Sequence, residues 1–287
     1  MPRDGLAYVT SFDLNYIQGG MVLLGSLAKQ VSSGQVVYVL TSNNALKIQE
    51  NLDNLDCLKR IDVRVIDVPS KISLESSMSM DGILHFSNAA IFRLFIPILF
   101  PVEVTHVIYL DSDMLILDSL EELEENFDDF SAVLESNKAG YFNSGVFKTS
   151  LDIWRKENAI EQFQIFLKTN PHSVYKDQDA LNFVFSSRNS ALNPKFNCQI
   201  KDKNSPKEAV ILHYSGTRKP WYASTPNTKY IKLWRVNAKE FLGNNYQLQK
   251  REFDFSRRIF LYIQICFSVI TTRHRFRKRE IECSGHI

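Results

Sequence analysis

The stretch Val107-Ile108-Tyr109-Leu110-Asp111-Ser112-Asp113 decides how this chain is read. Four large apolar residues run without alternation, the pattern of a strand covered on both faces in a parallel sheet. Two carboxylates follow at once, in the place where open α/β sheets gather their ligands, just beyond the carboxyl ends of the strands. Alternation along an extended segment puts Asp111 and Asp113 on one side, where they can face one divalent cation, with Ser112 turned away. A carboxylate pair closing a strand is also a common solvated turn or helix cap, so the triplet alone leaves both readings open.

Upstream, the apolar runs Leu6–Thr10, Val36–Leu40 and Ile61–Val68 alternate with segments of helical length at Ile17–Gln30, Asn44–Leu58 and Asn88–Leu99. This order predicts an α/β fold with a mainly parallel central sheet and helices on both faces. Downstream, Leu120, Leu123 and Phe127 recur at helical spacing among the acidic residues between Asp118 and Asp129, predicting a surface helix with a solvated acidic face. Further helices are expected over Leu151–Lys168 and Asp177–Phe185, then a strand over Ala209–Tyr214. With 287 residues and 44% hydrophobic content the chain suits one principal domain. Neither a Gly-x-Gly-x-x-Gly nor a Gly-x-x-x-x-Gly-Lys loop follows an early strand, and Gly19-Gly20 falls inside a helical pattern. That disfavours an NAD enzyme or a P-loop nucleotidase, so a bound phosphate would need a metal to help hold it.

Met1-Pro2-Arg3-Asp4-Gly5 runs straight into the first strand with no secretory signal, and a cytoplasmic location is expected. Cys57, Cys198, Cys266 and Cys283 form no Cys-x-x-Cys pair, which points to reduced thiols and away from zinc. The net charge of +2 is unevenly spread: nine Lys and Arg against four Asp and Glu from Lys250 onward give +5, leaving −3 for the rest. A near-neutral body with a basic tail argues against nucleic acid as a partner. The tail carries the mainly apolar Ile259–Ile270 between Arg257-Arg258 and the cluster Arg273–Arg279. That run is short of the ~20 residues of a membrane span. It suits a segment lying on an anionic membrane surface, or else a last helix packed on the body. The expected division is residues 1–249 for the catalytic-type domain and 250–287 for a basic, aromatic membrane-association segment.

A second constellation is His213-Tyr214-Ser215-Gly216-Thr217-Arg218-Lys219-Pro220-Trp221. His213 would add nitrogen to the oxygens of Asp111 and Asp113, a mixed set that suits manganese. A strand-end histidine is equally a hydrogen-bonded structural residue. Gly216 would let backbone come close to a phosphate, and Lys219 would set a positive charge on it.

Together with Ser11-Phe12-Asp13-Leu14-Asn15-Tyr16, Phe92-Arg93-Leu94, Tyr141-Phe142-Asn143-Ser144-Gly145-Val146, Asp177-Gln178-Asp179 and Asn193-Pro194-Lys195-Phe196-Asn197, these segments resemble the retaining glycosyltransferases of family 8. That family is typified by bacterial lipooligosaccharide galactosyltransferases and by glycogenin, and the resemblance covers nearly the whole of residues 1–235. It implies a Rossmann-like nucleotide-sugar-binding domain of the GT-A type, a UDP-hexose donor (UDP-galactose or UDP-glucose) and Mn2+, with Mg2+ as the substitute. It assigns Ser11, Asp13, Asn15 and Tyr16 to uridine, Asp111, Asp113 and His213 to the metal, and Arg93, Ser112, Asn143, Ser144, Gly216 and Lys219 to the donor. A serine stands at 144 where the family often has alanine. Asp177 and Gln178 are the implied catalytic residues as well as donor contacts. An amide is a poor nucleophile, so a front-face mechanism is preferred in which the leaving phosphate deprotonates the acceptor. The expected reaction is transfer of galactose or glucose to a lipid-linked oligosaccharide in lipopolysaccharide or surface-glycan synthesis, peripheral on the inner face of the cell membrane. The alternatives are a protein glycosyltransferase, acting on itself or on an adhesin, and a catalytically silent nucleotide-sugar-binding scaffold.

Overall fold

A computed structural model describes residues 3–42, 44–68, 88–170, 172–200 and 208–250. The first half alternates strand and helix: β1 (Leu6–Ser11), α1 (Ile17–Gln30), β2 (Val36–Thr41), α2 (Ala45–Asp53), β3 (Asp62–Asp67), α3 (Ile96–Leu99) and β4 (His106–Leu110). Then follow β5 (Met114–Ile116), β6 (Phe130–Leu134), β7 (Phe142–Ser150), α4 (Leu151–Lys156), α5 (Ala159–Thr169), α6 (Lys176–Phe185), β8 (Asn189–Ala191), β9 (Cys198–Gln199), β10 (Ile211–His213) and α7 (Lys229–Leu242). Seven strands form one sheet in the order β3-β2-β1-β4-β7-β6-β8. β3, β2, β1 and β4 run parallel, while β7 is antiparallel to both β4 and β6. β5, β10 and β9 make a separate small sheet.

The uninterrupted apolar strands are explained by cores on both sides of the large sheet. On one side Tyr8, Leu110 and Met114 pack with Leu23 of α1, Trp221 and Trp234 of α7. On the other, Val107 and Tyr109 join Phe130, Phe147, Trp154 and Phe185, with Phe130 and Phe185 stacked at 4.7 Å between ring centroids. The link between β4 and β5 passes from the large sheet to the small one, and it is this link that carries Asp111-Ser112-Asp113.

Several elements differ from the sequence expectation. No helix forms between Asp118 and Asp129; the segment is turns and irregular chain, with Leu120 and Leu123 buried and Asn126 in the left-handed region at φ 49°. The helix expected over Leu151–Lys168 is broken at Asn158, also at φ 49°, into α4 and α5. Asn88–Leu99 is a 3-10 helix over Asn88–Phe95 followed by the short α3, whose opening turn contains Pro97. Asn44–Leu58 ends as α-helix at Asp53, with one 3-10 turn at Asp56–Leu58. No disulfide joins Cys57 and Cys198. Among the described residues no helix is long and apolar enough to cross a membrane. Beyond Lys250 the expected membrane-association segment lies outside the described residues, as do Cys266 and Cys283.

Candidate active site

The two aspartates sit on a turn rather than on extended chain. Asp111 N–H donates to Gly145 O of β7 at 2.8 Å, and Tyr214 N–H donates to Asp113 O at 2.9 Å. These bonds tie the triplet to β7 and to the residue after β10, so the carboxylates converge although the alternation argument does not apply. His213, the last residue of β10, brings Nε2 within 3.3 Å of Asp113 Oδ1 and 3.8 Å of Asp111 Oδ2. One ligand atom from each of the three lies within 4.8 Å of the others, the sole such grouping of three or more His, Cys, Asp or Glu among the described residues.

The donor set of two carboxylates and an imidazole suits a manganese-class ion. The space is also kept open from the side. A Cβ on Gly145 would meet His213 Cε1 at 2.6 Å, Asn143 Oδ1 at 2.9 Å and Asp111 Oδ2 at 2.9 Å. The residues present therefore fit a small divalent cation held between backbone and three side chains.

Electrostatics divides the two aspartates. Burial would push the Asp113 carboxyl up, but the Lys219 ammonium, which forms a hydrogen-bonded ion pair with Oδ2, and His213 outweigh it and hold Asp113 well below the usual carboxylate range. Lys219 Nζ donates also to Tyr214 O at 3.1 Å and stands 5.6 Å from the centre of the Tyr16 ring. Asp111 is 22% exposed and pairs with Arg93, whose Nη2 donates to Oδ1 at 2.7 Å. Arg93 is buried with every nitrogen engaged: Nε faces Ala90 O at 2.9 Å and Asp177 Oδ2 at 3.2 Å, and Nη1 donates to Ser144 O at 2.8 Å. Its guanidinium also covers the Tyr109 ring at 4.5 Å.

Asp177 and Gln178 stand in the first turn of α6. Gln178 Oε1 accepts from Ser144 N at 3.0 Å and from Ser144 Oγ at 3.4 Å, while its Nε2 donates to Tyr141 Oη at 3.2 Å. Ser144 thus touches both Arg93 and Gln178. Asn143, expected in a sugar pocket, is buried and committed to protein partners: Oδ1 accepts from Gly145 N and Asn197 Nδ2, and Nδ2 donates to Glu135.

The residues expected to meet uridine lie at the end of β1 and in the turn into α1. Ser11 Oγ donates to Leu40 O at 3.2 Å. Asp13 Oδ1 accepts from the backbone N–H of Asn15 at 2.9 Å and of Tyr16 at 3.2 Å, and Oδ2 accepts from Asn15 Nδ2 at 3.5 Å, so Asp13 shapes this turn. Asn15 is exposed, and Tyr16 meets Trp221 edge-on at 5.4 Å. Tyr16 and Lys219 thereby join this group to the carboxylates. Ser112 is buried, with its carbonyl against Gly19, where a Cβ would come within 2.8 Å. Gly216 adopts φ +86° on an exposed turn with open space around it. Sequence reasoning missed Glu135 and Gln199 and gave no role to Asn197; the bonds of these residues run 8 positions from Glu135 to Asn143, 54 from Asn143 to Asn197 and 64 from Glu135 to Gln199.

The Glycosyl transferase family 8 profile matches residues 8–225. General stress protein A of Bacillus subtilis is 26% identical over 268 residues, which cover 78% of this chain and 91% of that protein. The lipopolysaccharide 1,2-glucosyltransferase of Escherichia coli is 31% identical over 180 residues, covering 47% of this chain but only 52% of that protein. Among solved structures, the galactosyltransferase LgtC in complex with donor and acceptor sugar analogues superposes with a TM-score of 0.69 at 20% identity, covering 82% of this chain and 96% of LgtC. At that identity the likeness is one of fold, an α/β GT-A-type fold with a mostly parallel central sheet. With its profile spanning well over half of the sequence, the chain belongs to glycosyl transferase family 8.

Proposed function

We propose that this protein is a metal-dependent, retaining hexosyltransferase that moves galactose or glucose from a UDP-sugar to a lipid-linked oligosaccharide. The observation that carries this reading is the convergence of Asp111, Asp113 and His213 beside the side-chain-free Gly145. These three would hold Mn2+ or Mg2+, which would supply Lewis-acid stabilisation of the departing diphosphate. Lys219 adds positive charge on the side facing Tyr16, where a diphosphate would meet a uridine. Tyr16 offers an aromatic face to the base, and Asp13 and the exposed Asn15 amide, joined to each other by a long 3.5 Å bond, offer acceptor and donor groups.

On the sugar side, Arg93 holds Asp111 and Asp177 in fixed positions, and Ser144 and Gln178 line the wall. Gln178 is no nucleophile, which disfavours the covalent route that a carboxylate would take. We favour a front-face route in which the leaving phosphate oxygen takes the proton of the acceptor hydroxyl. The Gln178 carbonyl oxygen would then support the developing positive charge on the sugar.

The lipid-linked acceptor is inferred from the name of the E. coli relative, a lipopolysaccharide glucosyltransferase, and from the basic, aromatic sequence 250–287. We place the enzyme peripherally at the inner face of the cell membrane, with residues 1–249 as the transferase domain. The test is UDP release by purified protein from a panel of UDP-sugars, in Mn2+ and in chelator, first with water and then with lipid extract as acceptor. Mn2+-dependent release from one UDP-hexose is expected. No release from any donor, even with lipid extract present, would overturn the reading in favour of a silent scaffold. In a parallel vesicle assay, deletion of residues 250–287 should abolish binding to anionic lipid while leaving UDP release intact.

A further inference from the structure

We propose that Glu135 sets the direction of a hydrogen-bond chain running through Asn143 and Asn197 to His213, and thereby fixes which ring nitrogen of His213 offers its lone pair to the Asp111–Asp113 site. The inference rests on the reading of these three residues as metal ligands. Glu135 directly follows β6, and its Oε1 receives Asn143 Nδ2 at 2.9 Å and Gln199 Nε2 at 3.2 Å. A carboxylate can only accept, so each amide must turn its NH2 toward it. The carbonyl oxygen of Asn143 is then left to accept from Gly145 N–H at 2.9 Å and from Asn197 Nδ2 at 2.8 Å. Asn197 has used its NH2 in that bond, so its own oxygen is the atom 2.8 Å from His213 Nδ1. An oxygen there requires a proton on Nδ1. The neutral ring must then present a bare Nε2, the atom 3.3 Å from Asp113 Oδ1 and 3.8 Å from Asp111 Oδ2.

A lone pair aimed at two carboxylates is unfavourable by itself and favourable around a cation, which is the arrangement a ligating imidazole needs. Every intermediate of the chain is buried: Asn143, Asn197 and His213 are each less than a tenth exposed. Bulk water therefore has little access to replace a broken link or to relax a reversed amide. A second branch leaves the same carboxylate. Gln199 turns its NH2 to Glu135, so its Oε1 accepts from Ser215 Oγ at 2.9 Å, tying down the start of the turn that leads to Lys219. One carboxylate thus orients both the histidine and the segment after it. Glu135 is a positioning residue acting through two asparagines, not a ligand.

Ring-15N-labelled histidine gives a readout independent of turnover. In metal-free protein, at a pH where the ring is neutral, the His213 signal is assigned among six histidines by its loss in His213→Gln. It should show the proton on Nδ1. A proton on Nε2 overturns the proposal, and this arm stands even if the wild type binds no Mn2+, an outcome that would sink the metal reading instead. In the second arm, Mn2+ affinity is read from the electron paramagnetic resonance of the free ion. Glu135→Leu removes the acceptor and should weaken Mn2+ by about tenfold or more, the usual effect of losing the partner behind a ligating histidine. Glu135→Gln can place a carbonyl oxygen where Oε1 stands and should bind near wild type. Equal affinity in Glu135→Leu and wild type overturns the proposal; should that variant fail to fold, the wild-type spectrum decides alone.

Discussion

Arg93 Nε lies 3.2 Å from Asp177 Oδ2, and neither side chain has more than a tenth of its surface in solvent. Burial pushes the Asp177 carboxyl up, Arg93 opposes this and Asp111 reinforces it, and the balance sets the group at about 6 against an ordinary 3.8. A raised acid binds its proton more tightly in the folded state, so its contribution to stability falls as pH rises from the unfolded value through the folded one. Asn mimics the neutral form of Asp. Asp177→Asn should therefore melt above wild type near neutral pH, with the difference shrinking toward zero by about pH 4. Thermal melts of metal-free protein across this range check it; a constant difference would mean that Asp177 does not titrate there.

Asp113 has the opposite sign. Its burial is outweighed by Lys219 and His213, so it contributes stability that is full above the ordinary carboxylate value and lost as pH falls toward its depressed folded value. Removing the ammonium from so buried a pair leaves an uncompensated charge, a loss of roughly 3–5 kcal/mol in comparable cases. Lys219→Met should accordingly be strongly destabilised in chelator. Because a divalent cation can take over the compensation, Mn2+ should raise the melting temperature of this variant by more than it raises that of the wild type. Equal metal-induced shifts would show that Lys219 is not the partner on which Asp113 depends.

Gly145 is required for space and not for backbone freedom. Its missing side chain points where His213, Asn143 and Asp111 already stand, and none of the three is the loose end of a surface chain. Gly145→Ala forces those groups apart, with an overpacking cost of about 1–3 kcal/mol. The fold should survive, while Mn2+ affinity measured calorimetrically should drop at least tenfold, because the added methyl displaces His213 and Asp111 from their positions. Wild-type affinity in a folded Gly145→Ala would argue against a cation between these residues.

The sequence exposes what is local and periodic. Helix α1 has the bounds its apolar spacing predicts, and β1, β2 and β4 fall where apolar runs are covered on both faces. β7 lies inside the sheet between β4 and β6, yet Asn143-Ser144-Gly145 near its start are small and polar, so no apolar run announces it. The small sheet is assembled from strands of two and three residues, too short for any periodicity, and β5 pairs with β10 across about a hundred positions, as with Leu115 and Leu212. The acidic segment shows helical spacing, but Leu120 and Leu123 are buried from a series of turns instead, and Glu124 accepts from the buried Tyr8 hydroxyl at 2.7 Å. At the site, ligand-type residues are legible as types in a motif. Glu135 is not, because its role exists only through partners 8 and 64 positions away.

The Gln178 amide is oriented by a similar constraint, which gives the last prediction. Asp179 Oδ1 accepts from Tyr141 Oη at 2.5 Å, so the phenol has spent its only proton and can offer Gln178 nothing but a lone pair. Gln178 must then turn Nε2 to Tyr141 and Oε1 toward Ser144, on the side proposed for the sugar. Lys138 Nζ, 3.4 Å above the centre of the Tyr141 ring, helps to hold the ring in place. Tyr141→Phe removes the anchor of Nε2 and leaves the packing; Ser144 N–H still keeps Oε1 on its side at 3.0 Å, so the amide keeps its direction but is held at one end only. Turnover should fall severalfold with the KM for the donor and the affinity for UDP nearly unchanged, the pattern of an interaction made mainly in the transition state. Gln178→Ala should show the same split more severely, and the double variant should be no worse than Gln178→Ala alone. Additive losses in the double variant would mean that Tyr141 acts on the reaction by some route other than this amide.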